Sequence, residues 1–208
     1  MVSDARIGPA GPLIERAAAA GAHVVTVADS TLRSLTDAEH PQGLLAIVGC
    51  EPRALTVVDG ADLVVVLDGL GDPGNVGAVV RTAVAVGAGA VVTTVGTADP
   101  THPRAVRGSA GAVFAVPIVV DQDAEDVVTA LGRAGLPRVV ADAAGDPTLP
   151  GPLGRFALVV GGEAHGPSQK LLDGADHVVA LAMAPPVESL NVAVAAGVML
   201  YSLGGRRW

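Results

Sequence analysis

Leu63-Val64-Val65-Val66-Leu67-Asp68-Gly69-Leu70-Gly71-Asp72-Pro73-Gly74-Asn75-Val76-Gly77-Ala78-Val79-Val80-Arg81-Thr82 reads as a strand, a glycine-rich turn and the first turns of a helix. An unbroken Leu/Val run bounded by turn residues suits a strand buried on both faces. The same rhythm repeats downstream. Apolar runs at 63–67, 90–95, 116–120, 138–141, 156–160 and 177–181 predict strands, and segments at 75–86, 124–134, 168–172 and 189–203 predict helices. Strands alternating with helices imply a mostly parallel α/β sheet flanked by helices.

Composition narrows the class. The chain has 208 residues, half of them hydrophobic, enough for one α/β core and a small accessory unit. Aromatics are only 2%, so the core is built from Ala, Val and Leu. The single cysteine, Cys50, excludes an internal disulfide and a multi-cysteine metal site and suits a reducing, cytoplasmic setting. No signal peptide is evident, and no apolar run reaches the ~20 residues that cross a bilayer. The net charge of −8 argues against a general nucleic-acid binder but leaves room for a local basic patch. The histidines show no metal-ligand spacing.

Working outward, residues 1–50 read as a short α/β unit: a helix at 13–21, a strand at 23–27, a helical turn at 30–35 and a second strand at 43–48. Residues 51–62 read as a linker, and 63–208 as the main domain.

Four segments carry chemistry. Gly69-Leu70-Gly71-Asp72-Pro73-Gly74 fits G-x-G-x-x-G after a strand, which permits an NAD-dependent oxidoreductase. Pro73 weakens that reading because it removes a backbone N–H that a pyrophosphate would use. Next, Asn75 reads as a helix cap, and Arg81 is the only charge in an apolar helix. Arg81 is therefore either a solvated face residue or an anchor for a phosphate or an oxygen nucleophile. In Gly161-Gly162-Glu163-Ala164-His165-Gly166-Pro167-Ser168 a strand ends in a double glycine, with a carboxylate placed directly after it and Ser168 as the cap of the next helix. In Pro185-Pro186-Val187-Glu188-Ser189-Leu190-Asn191-Val192, three polar side chains gather at a helix entrance, as caps, ligand groups or both. A basic stretch, Arg104 and Arg107 beside Ser109, reads as a solvated surface or a phosphate clamp.

Together these segments resemble the three motifs of the SpoU/TrmH family of RNA ribose 2′-O-methyltransferases, in the SPOUT superfamily. The first is Asn75-x-Gly77-x-x-x-Arg81-Thr82. The second is Gly161-Gly162-Glu163 through Gly166 and Ser168. The third is Leu181-Ala182-Met183 followed by Glu188-Ser189-Leu190-Asn191-Val192. Arg104–Gly111, running on to Phe114, is similar to the family's R-x-S-x-G-x-x-F stretch, and Glu39-His40-Pro41-Gln42-Gly43 resembles the end of its substrate-binding domain. The family's usual Asn, Pro and Ser are replaced here by Gly162, Ala182 and Ala193.

The resemblance implies a parallel α/β fold with a deep C-terminal trefoil knot and a truncated substrate-binding unit at 1–50. It implies S-adenosyl-L-methionine as cofactor, held near Gly161, Gly162, Leu181, Met183, Ser189, Leu190 and Asn191, with no metal and no membrane. It also implies a homodimer in which Arg81 of one subunit faces the methyl donor of the other. Arg81, Asn75, Glu163, Ser189 and Asn191 become the catalytic candidates. Arg104, Arg107 and Ser109 become RNA contacts, with ribosomal RNA preferred to transfer RNA. A non-catalytic RNA-binding relative is the remaining alternative.

Overall fold

The computed structural model describes residues 1–36, 38 and 40–204. The chain divides into two units, Met1–Gly49 and Cys50–Trp208.

In the first unit, β1 (Val2–Ser3) pairs in parallel with β2 (Thr26–Val27), alongside α1 (Gly11–Ala19) and α2 (Asp29–Ser34). Val2 and Leu32 are buried, whereas α1 buries no side chain. The strand expected at 43–48 does not form. Leu44 makes one isolated antiparallel bridge to Val2, and Ile47 and Val48 are exposed. An apolar run becomes a strand only where a neighbour takes its backbone groups, and past Leu45 this one has none among the described residues. Glu39, part of the resemblance drawn above, lies outside the described residues.

The second unit begins earlier than expected. Residues 51–62 are not simply a linker: Leu55–Gly60 forms a 3-10 helix whose Val58 is fully buried beside Val64 and Val66. Burying a valine this completely contributes about 2 kcal/mol, so the segment belongs to the domain. Asp59 also pairs with Arg133 at 3.0 Å.

A parallel sheet follows, ordered β5-β4-β3-β7-β6-β8. Its strands are β3 (Leu63–Asp68), β4 (Ala90–Thr94), β5 (Ile118–Gln122), β6 (Arg138–Asp146), β7 (Phe156–Gly161) and β8 (His177–Val179). The helices are α3 (Pro73–Ala85), α4 (Pro103–Gly108), α5 (Ala124–Arg133), α6 (Gln169–Asp173) and α7 (Val192–Gly204). Alternation along a strand sends neighbours to opposite faces. Leu63, Val65 and Leu67 thus join one core with α3 and α7, while Val64 and Val66 join the other with α5 and α6. Central strands buried on both faces account for the unbroken Leu/Val runs.

Three boundaries bear on function. β6 runs past Ala141 to Asp146, with a shift in its register against β8 between those residues. α4 is helical around Arg104 and Arg107. α7 begins at Val192 and not at Ser189, because Asn191 caps it and leaves Glu188, Ser189 and Leu190 outside the helix.

Candidate functional site

β3 and β7 pair from Leu63↔Phe156 through Asp68↔Gly161, so the loops after them emerge side by side. In the first loop, Asp72 accepts a hydrogen bond from the Gly74 amide at 3.2 Å and Pro73 is the first helical residue. Asp72, not Asn75, therefore caps α3, and proline sits where its missing N–H costs nothing. Arg104 adds an ion pair to Asp72 at 3.0 Å. The helix start is already engaged by the chain's own carboxylate, which removes the ground for a dinucleotide loop at Gly69–Gly74.

Relieved of capping, Asn75 turns to the site. Its Nδ2 donates to Glu163 Oε1 at 2.8 Å, and its Oδ1 accepts from Asn191 Nδ2 at 2.9 Å. Asn191 in turn uses Oδ1 to accept from the amides of Ala193 at 2.9 Å and Val194 at 3.4 Å. One chain of hydrogen bonds thus joins residues from three distant segments.

The second loop differs. A Cβ on Gly161 would collide with the backbone of Gly166 and Pro167, and one on Gly162 with the Gly69 carbonyl. Gly166 takes a positive φ of 65° and donates to the Gly162 carbonyl at 2.8 Å. Ser168, expected to cap α6, makes no side-chain cap, and its hydroxyl is buried without a partner. Its amide instead donates to the Asp68 carboxylate at 2.6 Å.

Beyond the ends of β6, β7 and β8 lies a cavity of about 510 Å³. Of the residues expected to bind a cofactor, Gly161, Leu181, Met183, Ser189 and Leu190 line it, and Glu163 and Glu188 join them. Gly162 and Asn191 do not: the first is pressed against Gly69 and the second serves Asn75 and the α7 cap. Asn75 and Arg81 also lie outside the lining. The Arg81 side chain is on the exposed part of α3 and makes no ion pair among the described residues.

Sequence reasoning missed Asp142, Ala143 and Gly145, which also line the cavity. A Cβ at Gly145 would stand 2.6 Å from the Val179 carbonyl carbon, so glycine allows the shifted end of β6 to press on β8. The signal available was an Asp directly after a predicted strand. The edge beneath is fastened by Arg138, whose guanidinium grips Asp176 at 2.9 and 3.2 Å and holds its carboxyl below the usual range.

The RNA candidates separate. Arg104 and Arg107 are on α4, and Arg104 is largely exposed even in its ion pair. Ser109 is withdrawn as an RNA contact. It is fully buried, and its hydroxyl donates to the Val106 carbonyl at 2.9 Å, closing the end of α4.

Residues 62–201 match the SpoU rRNA Methylase family. The chain belongs to this family. It is 33% identical, over 94% of its length and 72% of the relative's, to a tRNA/rRNA methyltransferase of Synechocystis. It is likewise 33% identical to a 23S rRNA (guanosine-2′-O-)-methyltransferase of Burkholderia, over 89% of this chain and 78% of the relative. Against a tRNA/rRNA methyltransferase of Mycolicibacterium smegmatis, 37% identical over 81% of this chain, it spans about half the relative's length (52%).

Among solved structures, the AdoMet-bound rRNA methyltransferase of Sinorhizobium meliloti superposes with a TM-score of 0.82 at 28% identity, covering 96% of this chain and 77% of that one. The SpoU methyltransferase AviRb of Streptomyces viridochromogenes, in complex with AdoMet, gives 0.61 at 34% identity, covering 68% and 59%. In this SpoU member three segments far apart in sequence are joined by hydrogen bonds through Asn75, Glu163 and Asn191, of which Glu163 lines the cavity.

Proposed function

We propose that this chain transfers a methyl group from S-adenosyl-L-methionine to a ribose 2′-hydroxyl of RNA, ribosomal RNA before transfer RNA. The hydrogen-bonded chain Asn191–Asn75–Glu163, which reaches the cavity through Glu163, carries the reading, because it unites the three family motifs in one place.

The lining suits the cofactor. Asp142, Glu163 and Glu188 contribute carboxylates, and among the described residues no Lys, Arg or His lines the cavity. Such a wall favours a cationic ligand over an anionic one. Val160, Leu181, Met183 and Leu190 give an apolar bed for a flat base. When bound, S-adenosylmethionine supplies an electrophilic methyl on a sulfonium.

The chain's residues do the rest. Gly161, Leu181 and Leu190 hold the ligand through backbone groups. Glu163 and Ser189 face the cavity and orient what enters it. Asn75 and Asn191 fix Glu163 from outside. Arg81 stabilises the alkoxide that develops on the ribose oxygen. Within one chain Arg81 does not line the cavity, which accords with its serving the cavity of a second copy.

A homodimer is therefore part of the proposal, along with a deep C-terminal trefoil knot around the 181–191 approach. In its support, α7 exposes Val194, Val198 and Tyr201 at i, i+4 and i+7, with Val187 and Leu190 also exposed. An apolar helical stripe of this kind normally meets a partner. Arg104 and Arg107 receive the RNA backbone, residues 1–50 act as a substrate-binding-like unit, and the setting is cytoplasmic.

Incubating the protein with total RNA and isotopically labelled S-adenosylmethionine, then mapping the label, tests the reading. Label on a ribose 2′-oxygen is expected; label on bases only, or none, overturns it.

A further inference from the structure

Asp68 is the last residue of β3, 6% exposed, and takes no part in the proposed chemistry. Its contacts converge on one loop. Its backbone carbonyl accepts from the Gly162 amide at 2.9 Å, where the loop after β7 begins. Its carboxylate Oδ2 accepts from the Ser168 amide at 2.6 Å, where that loop ends. Oδ1 accepts from the hydroxyl of buried Thr94 at 2.5 Å, which fixes the carboxylate plane from β4. Between those two anchored amides lies Glu163, facing the cavity and bonded to Asn75.

At the loop's far end the Ser168 hydroxyl, the usual capping group, is buried and unpartnered, while the Ser168 carbonyl accepts from the Leu171 and Leu172 amides and Gly166 bonds back to Gly162. We propose that Asp68 is the positioning residue of the site: one side chain and its own carbonyl pin both ends of the 162–168 loop and thereby set Glu163 against Asn75 and the cavity. This rests on reading the cavity as the cofactor site.

The chemistry makes a distinctive prediction. A carboxylate offers acceptors to both donors at once. Alanine removes both and leaves the half-buried Ser168 amide without this partner. Asparagine can keep its carbonyl on the Ser168 amide and turn its NH₂ to Thr94, whose hydroxyl accepts as well as donates. Positioning thus survives Asp68→Asn and fails in Asp68→Ala, although both lose the charge.

Two readouts on the full chain decide it: S-adenosylmethionine affinity by calorimetry, and amide hydrogen exchange at Ser168 against Gly162 and the sheet amides of β3 and β7. In Asp68→Ala, the Kd should rise about tenfold or more, with exchange faster at the Ser168 amide and unchanged in the sheet and at Gly162, whose amide bonds the backbone carbonyl that alanine keeps. Asp68→Asn should restore both to within about threefold.

Wild-type affinity and protection in Asp68→Ala overturn the proposal, as does Asp68→Asn behaving like alanine. Should the alanine variant not fold, Asp68→Asn alone decides: a protected Ser168 amide supports the proposal and an exposed one overturns it. Absence of S-adenosylmethionine binding by the wild type would sink the methyltransferase reading, while the exchange data still decide the role of Asp68.

Discussion

The loops after β3 and β7 start from adjacent, registered strand ends and are both rich in glycine, yet they do opposite things. The loop at Gly69–Gly74 closes on itself: Asp72 caps α3, Pro73 starts it and Arg104 covers the carboxylate. The loop at Gly161–Gly166 has no such cap, is pinned from Asp68, and forms a cavity wall. Glycine spacing therefore says little by itself. What decides is whether a side chain from the loop satisfies the helix start, as Asp72 does and Ser168 does not.

The sharpest way to break this contrast is to add one methyl to each loop. Gly161→Ala drives Cβ into the backbone of Gly166 and Pro167 and should cost about 3 kcal/mol or more, with loss of S-adenosylmethionine binding. Gly71→Ala meets nothing within 4 Å and should change stability by less than about 0.5 kcal/mol. Denaturant midpoints and calorimetric titration check the pair. Equal effects would mean that the two loops are under the same constraint.

Arg81→Ala comes next. The side chain is exposed and outside the cavity lining, so cofactor affinity should stay within about twofold while methyl transfer falls ~10²–10³-fold, the usual loss for one transition-state charge stabiliser. Single-turnover assays at saturating cofactor read this directly. Unchanged transfer would remove Arg81 from the chemistry.

How far these regions were legible in the sequence follows from how local their causes are. The strands were readable because Leu63–Leu67 and Phe156–Val160 are buried on both faces and so are apolar without a break. The family motifs were readable as short strings. Which residues line the cavity was only partly so. Asp142 and Gly145 enter because β6 shifts register against β8, which depends on Gly145 meeting the Val179 backbone, a contact between segments far apart in sequence. Asn75 was read as a cap because asparagine caps helices well, but Asp72, three residues earlier, took the role and turned Asn75 toward Glu163. Ser109 looked like an RNA contact on an arginine-rich stretch; its burial is set by the packing of α4 against α3, where a Cβ at Gly77 would collide with the Ala105 carbonyl.

Asp72→Ala sharpens the comparison from the closed side. It removes the only side-chain cap of α3 among the described residues and one partner of Arg104. The expected loss is about 1 kcal/mol, typical of an N-cap, read as a lower melting temperature. Because the Asn75–Glu163 bond lies one turn further in, cofactor affinity should change by less than about threefold. A larger change would show that the closed loop supports the open one beyond the contact between Gly69 and Gly162.

The smallest effect is on the edge that carries the open side. Arg138 holds the Asp176 carboxyl below its ordinary value of 3.8, chiefly by side-chain hydrogen bonding. A depressed carboxylate contributes stability that is fully present above its unfolded pKa and is lost as pH falls through the folded one. The pair should therefore leave stability flat near neutrality and weaken the β6–β8 edge only below about pH 4. Asp176 is 43% exposed on its side chain, so screening holds the effect to about 0.5 kcal/mol. Asp176→Asn should lower stability by that amount at pH 7 and abolish this part of the acid-side slope. If the variant and wild type differed as much at pH 2.5 as at pH 7, the edge would be held by the backbone pairing of β6 with β8, and the ion pair would contribute nothing to the wall built on it.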